Sequence, residues 1–85
     1  MPTQEVQFVG YRKGISEKNQ KPYFRLNFRF TNPVISKDGM TAFFNEVSIF
    51  LPNEQEFLNY IKNHDLLSVI KLNTQIYGDK VKYSL

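Results

Sequence analysis

The residues best suited to chemistry lie in an alternating run at positions 22–31, Pro-Tyr-Phe-Arg-Leu-Asn-Phe-Arg-Phe-Thr. A β-strand directs successive side chains to opposite faces of its sheet. One face of the run is apolar and suits a core: Phe24, Leu26, Phe28 and Phe30. The other face carries an aromatic ring, two guanidinium groups and an amide: Tyr23, Arg25, Asn27 and Arg29. Aromatic rings stack on nucleobases and guanidinium groups pair with phosphates, so this second face predicts nucleic-acid binding.

Other aromatic and basic residues extend this candidate surface. Positions 43–51 predict another strand, whose non-core face carries Phe44 and Phe50. The remaining candidates lie in the first predicted loop and in the last two predicted strands: Lys13, Lys18, Lys21, Lys71, Tyr77, Lys80 and Lys82. Lysine and arginine side chains that neutralise phosphates release counterions, so the predicted affinity falls steeply with salt.

Each candidate also has a purely structural interpretation. The tyrosine of the alternating run could pack at the rim of a barrel, and its two arginines could pair across strands with Glu46. Phe44 and Phe50 could be buried under a helix or a dimer partner. The lysines of the last strand could protect a sheet edge from aggregation. The binding hypothesis therefore depends on the convergence of these residues on one surface.

Catalysis is not expected from this sequence. There is no cysteine, and the single histidine, His64, lies at a predicted helix end, where a cation interacts favourably with the helix C-terminus. One histidine supplies neither a nucleophile–base pair nor a zinc site. Glu54 and Glu56 suit the first turn of a helix rather than opposite sides of a substrate. We therefore expect neither an enzyme nor a cofactor.

Length and charge define the class of protein. The 85 residues fit one domain, and the net charge is +3. Residues 1–30 carry a net +4, residues 31–68 a net −3 and residues 69–85 a net +2. If the two basic ends meet in the fold, they form one positive surface. There is no apolar run of about 18 residues and no pattern typical of a signal peptide, so a cytoplasmic protein is expected.

The order of predicted elements is β-β-β-α-β-β. The five strands are placed at residues 4–12, 22–31, 43–51, 68–77 and 80–85. Gly10 in the first strand indicates a bulge or a bend. A helix is predicted to begin after Asn53, a good N-cap, and to bury an apolar stripe of Phe57, Leu58 and Ile61. Two long loops, at 13–21 and 32–42, separate the first three strands.

This order matches the OB-fold, a five-stranded antiparallel Greek-key barrel, here with one helix between strands 3 and 4. A small antiparallel α+β sheet with one helix packed on it is the alternative. In an OB-fold, oligonucleotides bind on the face of strands 2 and 3 and through the loops after strands 1 and 4. The candidate residues lie largely at these positions.

The chain resembles the small single-stranded-DNA-binding OB-fold proteins of bacteria, phages and mobile elements, including SSB-like and primosomal types. The order of elements carries the resemblance over nearly the whole chain. Locally, Asn19-Gln20-Lys21-Pro22-Tyr23-Phe24-Arg25-Leu26 is similar to their polar loop and Lys-Pro-aromatic entry into strand 2. The chain departs from them at Gln20, where a glycine is common, and it has no tryptophan.

Two functional hypotheses follow. The first is binding of single-stranded nucleic acid without strong sequence preference. The resemblance favours DNA over RNA and implies an accessory role, with other proteins, in replication or mobile-element DNA transfer. The second is a protein-interaction module in which Phe44, Phe50 and Tyr60 lie under a partner and the arginines form a polar rim. A homodimer is compatible with both.

Overall fold

A computed structural model describes residues 2–85, which are mainly β. The strands, in chain order, are β1 (Thr3–Ile15), β2 (Pro22–Phe30), β3 (Val34–Ile35), β4 (Ala42–Phe43), β5 (Glu46–Leu51), β6 (Val69–Tyr77) and β7 (Lys80–Ser84). One helix, α1 (Glu54–Asn63), lies between β5 and β6. No helix within residues 2–85 is long and apolar enough to cross a membrane.

Five strands form one curled antiparallel sheet in the order β5-β2-β1-β6-β7. The strands β1, β2 and β5 pair in succession, and β6 returns to lie beside β1, which is a Greek-key arrangement. The two basic ends of the chain thus share one sheet. The predicted closed barrel is not what the structure shows, because the edge strands β5 and β7 pair only with β2 and β6. The sheet is a half-barrel.

The position of the helix also differs from the prediction, because α1 follows the fifth strand of the chain rather than the third. The predicted loop at 32–42 contains most of a small hairpin formed by β3 and β4. Its turn is closed by a hydrogen bond from the Ser36 amide to the Thr41 carbonyl at 2.8 Å, and Gly39 has a φ of +75°. The predicted strand at 43–51 is accordingly shorter and begins at Glu46.

The core lies between the inner face of the sheet and α1. Its buried residues are Val6, Phe8, Phe24, Leu26, Phe28, Phe57 and Leu72. Three of them come from β2, which confirms the alternation predicted for that strand. Full burial of each such side chain stabilises the fold by roughly 1.5–3 kcal/mol.

The start of α1 confirms the predicted cap, since the Asn53 side chain accepts a hydrogen bond from the Glu56 amide at 2.9 Å. Phe57 is buried as predicted, but Leu58 is exposed. Tyr60 packs against the core instead, with its ring 5.4 Å from that of Phe8. Positions i and i+3 of this short helix therefore face the sheet, and position i+1 points away from it.

A bulge in β1 changes which of its residues reach the core. The pairing of β1 with β2 shifts between Phe8 and Gly10, as the glycine predicted. Beyond the bulge the alternation is reversed. Tyr11, which strict alternation from Phe8 would place on the non-core face, lies on the core side with its ring 5.8 Å from that of Phe57. Residues 10, 12 and 14 therefore lie on the non-core face.

The far end of the β6–β7 hairpin extends beyond the core. Leu72 is fully buried, but Ile76 and Val81, which the alternation of β6 and β7 places on the same face as Leu72, are 67% and 48% exposed. They pair with each other across the hairpin. The helix packs against β2 and β5 and leaves this end of the hairpin uncovered.

Candidate functional site

The non-core surface of β1, β2 and β5, called here the outer face, holds most of the predicted site. Strand β2 lies between β1 and β5, so its polar side chains have neighbours on both sides. The ladder places them in four cross-strand rows: Gly14–Tyr23, Arg12–Arg25–Phe50, Gly10–Asn27–Ser48 and Gln7–Arg29–Glu46. The alternation of β2 thus produces a continuous surface across three strands.

One end of the outer face is an aromatic corner made by Tyr23 and Phe50. Their ring centroids are 6.5 Å apart and the ring planes meet at 71°. Phe50 is 64% exposed, so it is not buried under the helix. The Tyr23 ring lies against Gly14, where a Cβ would be 2.9 Å from its Oη and 3.0 Å from its Cε1 and Cζ. The two rings offer perpendicular apolar surfaces to a planar ligand.

Two arginines lie beside this corner without an acidic partner. Arg12 and Arg25 are directly opposite each other on β1 and β2. The Arg25 Nε is buried and has no hydrogen-bond partner. Across residues 2–85 the one ion pair is elsewhere, between Lys13 Nζ and Glu54 at 3.9 Å. Like charges opposite each other destabilise a sheet, so this pair is suited to an anion that bridges it.

The other end of the outer face is organised by hydrogen bonds and by an aromatic contact. The Ser48 hydroxyl donates to the Asn27 side chain at 3.0 Å, and Arg29 donates to the Gln7 side chain at 3.0 Å. The Arg29 guanidinium also lies over the Phe44 ring, 4.8 Å from its centroid. Arg29 thus contacts Gln7 and Phe44 rather than forming an ion pair with Glu46, its partner in the strand register.

The predicted lysines are dispersed around the outer face. Lys13 lies on the core side of β1, opposite Phe24, and pairs with Glu54 at the start of α1. Lys18 and Lys21 belong to the loop between β1 and β2. Lys71, on β6, lies opposite Glu5. The structure therefore separates Lys13 from the surface to which the sequence assigned it.

The last hairpin places its candidates at the edge of the sheet opposite β5. Tyr77 and Lys80 pair at its tip, and Lys82 lies opposite Gln75. A cleft of about 530 Å³ separates β7 from β5, and both Lys82 and Phe50 line it. Among the predicted candidates, Lys82 thus shares this cleft with Phe50, whereas Tyr77 and Lys80 do not line it.

The loop between β1 and β2, residues 16–21, is held by backbone hydrogen bonds. The Ser16 amide donates to the Lys21 carbonyl at 2.9 Å, and the Gln20 amide donates to the Ser16 carbonyl at 2.8 Å. Gln20 has a φ of +57°, the left-handed conformation that glycine adopts most readily. Gln20, at the position where the resembled proteins commonly have glycine, therefore adopts a backbone conformation that favours glycine.

Apart from Gly10, Gly14 and Glu46, three residues of the outer face were not among the sequence candidates: Arg12, Gln7 and Ser48. Arg12 was counted in the basic N-terminal segment, but its face depends on the bulge before it. Gln7 and Ser48 are common surface residues, and only the register places them beside Arg29 and Asn27. In the sequence, Gly10 is the feature that indicates this arrangement, because a bulge at that position moves every later residue of β1 to the opposite face.

Two groups with shifted pKa values lie away from the outer face. Burial raises the pKa of the Tyr60 phenol, which packs on the core, and a hydrogen bond from Ser36 lowers the pKa of Asp38 in the β3–β4 turn. His64 caps α1 and stacks on Tyr60 at 4.0 Å between ring centroids. Within residues 2–85, no three acidic or histidine side chains are grouped to hold a metal ion.

No protein-family model, curated protein or solved structure matches the chain.

Proposed function

We propose that the chain binds single-stranded nucleic acid, DNA by preference, on the outer face of β1, β2 and β5, without strong sequence specificity. The observation that carries the proposal is the row of Arg12, Arg25 and Phe50 beside Tyr23. It joins two guanidinium groups that have no acidic partner to two adjacent aromatic rings, of which Phe50 is exposed. Rings stack on any base and guanidinium groups bind any phosphate, so the chemistry is tolerant of sequence.

The arrangement of the sheet adds support. A Greek-key half-barrel with one helix is compatible with a partly open OB-fold, in which strands 2 and 3 and the adjoining loops bind oligonucleotides. In this chain the corresponding strands are β2 and β5. The resemblance to small OB-fold proteins that bind single-stranded DNA points the same way and favours an accessory role in replication or in mobile-element DNA transfer.

A titration with a labelled oligo-dT of about 30 nucleotides tests the proposal, with anisotropy measured at about 50 mM and about 200 mM salt. We expect micromolar or tighter binding at the lower salt and a steep loss at the higher, because phosphate contacts release counterions. Absence of binding at the lower salt would overturn the proposal. An oligo-U of the same length measures the preference for DNA.

A charge-matched pair of double variants locates the site. Replacement of Arg25 and Arg29 by alanine should weaken binding at least about tenfold and reduce the salt slope by about 1.4, since each lost contact to a single strand contributes about 0.7. Replacement of Lys37 and Lys62, in the β3–β4 turn and on α1, removes the same charge elsewhere. If both double variants bind equally, the outer face is not the site.

A protein-interaction function is the second candidate, and the β3–β4 hairpin favours it. Its apolar side chains are exposed, with Ile35 at 58%, Phe43 at 46% and Met40 at 85%. Neighbouring exposed apolar residues mark contact surfaces on small domains. A second copy of the chain is the simplest partner, and sedimentation equilibrium of the parent and of Phe43→Ser tests it. A monomer at every concentration would remove the homodimer.

A further inference from the structure

Gly14 and Tyr23 form a contact that the sequence alone does not suggest. Gly14 lies directly opposite Tyr23 in the ladder of β1 and β2. A Cβ at this position would lie 2.9 Å from the Tyr23 Oη and 3.0 Å from its Cε1 and Cζ, so the tyrosine side chain would have to shift to accommodate it. The hydrogen atom in place of a side chain at Gly14 therefore lets the Tyr23 ring lie against β1.

The backbone at Gly14 does not itself require glycine. The glycines with left-handed backbones are Gly39 and Gly78, both in turns. An alanine at position 14 is thus compatible with the strand, and its cost is confined to the contact with the tyrosine ring. The contact with the Tyr23 side chain, and not the backbone conformation, is what favours glycine at position 14.

The position of the Tyr23 ring has a consequence for ligand binding. The Oη, Cε1 and Cζ atoms of the half-buried Tyr23 side chain lie against Gly14, and the Phe50 ring lies beside the Tyr23 ring with an angle of 71° between the ring planes. A planar base stacked on one ring would meet the other ring at its edge, which is a favourable aromatic geometry. Arg12 and Arg25 lie in the adjacent row, within reach of the phosphate of the same nucleotide.

We propose that Tyr23 and Phe50 form a subsite for one unpaired nucleobase, that Arg12 and Arg25 bind its phosphate, and that Gly14 is the positioning residue that keeps the Tyr23 ring available. This inference rests on the proposed function and deepens it. It assigns the base-dependent part of the affinity to the aromatic corner and the charge-dependent part to the arginine pair.

The test compares oligo-dT with an abasic oligomer of the same length, which keeps the phosphates and lacks the bases. Gly14→Ala should weaken oligo-dT binding about fivefold or more, because loss of a base–aromatic stack has an effect of that order. Binding of the abasic oligomer should not change. Arg12→Ala should weaken binding of both oligomers by the same factor, since it removes a phosphate contact.

Gly10→Ala is the matched control for Gly14→Ala. It lies on the same strand and the same face, and its Cβ would meet only the Asn27 amide nitrogen at an ordinary 3.8 Å. Because Gly10 itself lies on the proposed binding surface, the readout is the ratio of oligo-dT to abasic affinity, which this variant should leave as in the parent. Circular dichroism and thermal unfolding of both variants check that each is folded.

A double-variant cycle separates a positioning role from general damage. In a Tyr23→Ala background, Gly14→Ala should have no further effect on oligo-dT binding, because its effect acts only through the ring. Additive effects, or equal weakening for both oligomers, would overturn the inference. If Gly14→Ala is unfolded, Tyr23→Ala alone decides, since it should remove most of the preference for oligo-dT over the abasic oligomer.

Failure of this inference is distinguishable from failure of the proposed function. A parent protein that binds neither oligomer at low salt contradicts both. A parent that binds the two oligomers equally well keeps the function and contradicts the subsite, because its affinity then depends on phosphates alone.

Discussion

The two faces of β2 consist of alternating residues of one strand, and they have opposite effects on the stability of the fold. On the inner face, Phe24, Leu26 and Phe28 are buried against α1 and the rest of the core. On the outer face, Arg25 lies opposite Arg12 without an acidic partner. The inner face stabilises the protein by removing apolar area from water, whereas like charges placed opposite each other oppose folding. This contrast supports the proposal that the outer face binds a ligand.

Replacing one phenylalanine on each face of the sheet is expected to give the largest difference in stability between the two faces. Phe28→Ala should destabilise the protein by about 3–5 kcal/mol, because it leaves a cavity in a core that contains few large side chains. Phe50→Ala, on the exposed side, should change the free energy of unfolding by less than about 1 kcal/mol. Urea unfolding followed by circular dichroism measures both.

The same pair should have the reverse effect on binding. Phe50→Ala should weaken oligo-dT binding while the protein remains folded, because it removes one wall of the aromatic corner. Equal losses of stability in the two variants would show that the outer face also belongs to the core.

The inner face of β2 was predictable from sequence because strict alternation leaves little choice of face. The same reasoning predicted the cap of α1 at Asn53, where residue type and spacing act locally. It did not predict the β3–β4 hairpin, because two strands of two residues each leave almost no periodic pattern. It predicted a closed barrel where the structure has a half-barrel, because closure depends on curvature accumulated over all the strands and leaves no local pattern.

Two adjacent residues of β1 sharpen the comparison between faces. Arg12 lies on the outer face and Lys13 on the core side, where it pairs with Glu54. Arg12→Ala should therefore weaken oligo-dT binding several-fold and reduce the salt slope by about 0.7, the contribution of one phosphate contact to a single strand. Lys13→Ala should change the affinity less than about twofold, through net charge alone.

The matched charges of these variants provide the control. Each removes one positive charge, so any difference between them reports position on the sheet. Equal weakening would place the nucleic acid across the end of the β1–β2 hairpin rather than on the outer face, and the lysines of residues 16–21 would then be the next to replace.

The candidate site was partly predictable for the same reason that the core was. Alternation assigned Tyr23, Arg25, Asn27 and Arg29 to one face, and the ladder brings them together with Phe50. The neighbours on β1 depend on a one-residue shift at Gly10, which reverses the faces of all later residues. A glycine indicates a bulge without fixing its exact position. The sequence therefore shows that Arg12 contributes to the net charge of the N-terminal segment, but not which face of β1 it occupies.

The smallest expected difference between the two faces concerns the hydroxyl groups of Tyr60 and Tyr23. The Tyr60 hydroxyl is buried and has no hydrogen-bond partner, whereas Tyr23 lies at the surface with its hydroxyl near Gly14. Tyr60→Phe should leave the stability unchanged or raise it by up to about 1 kcal/mol, because it removes a buried polar atom that lacks a partner. Tyr23→Phe should change neither stability nor binding appreciably, since the ring that stacks is retained.

The pH dependence of stability provides a second measurement of this contrast. Burial raises the pKa of Tyr60 in the folded state above its ordinary value of 10.0, so the unfolded chain loses this proton first. The stabilisation is complete below pH 10 and is lost as the pH rises from 10 through the raised pKa. Tyr60→Phe should flatten that part of the stability profile. A Tyr60→Phe variant that loses more than about 1 kcal/mol would indicate a partner for the hydroxyl, such as a buried water molecule. The inner face would then contain a polar contact as well as apolar packing.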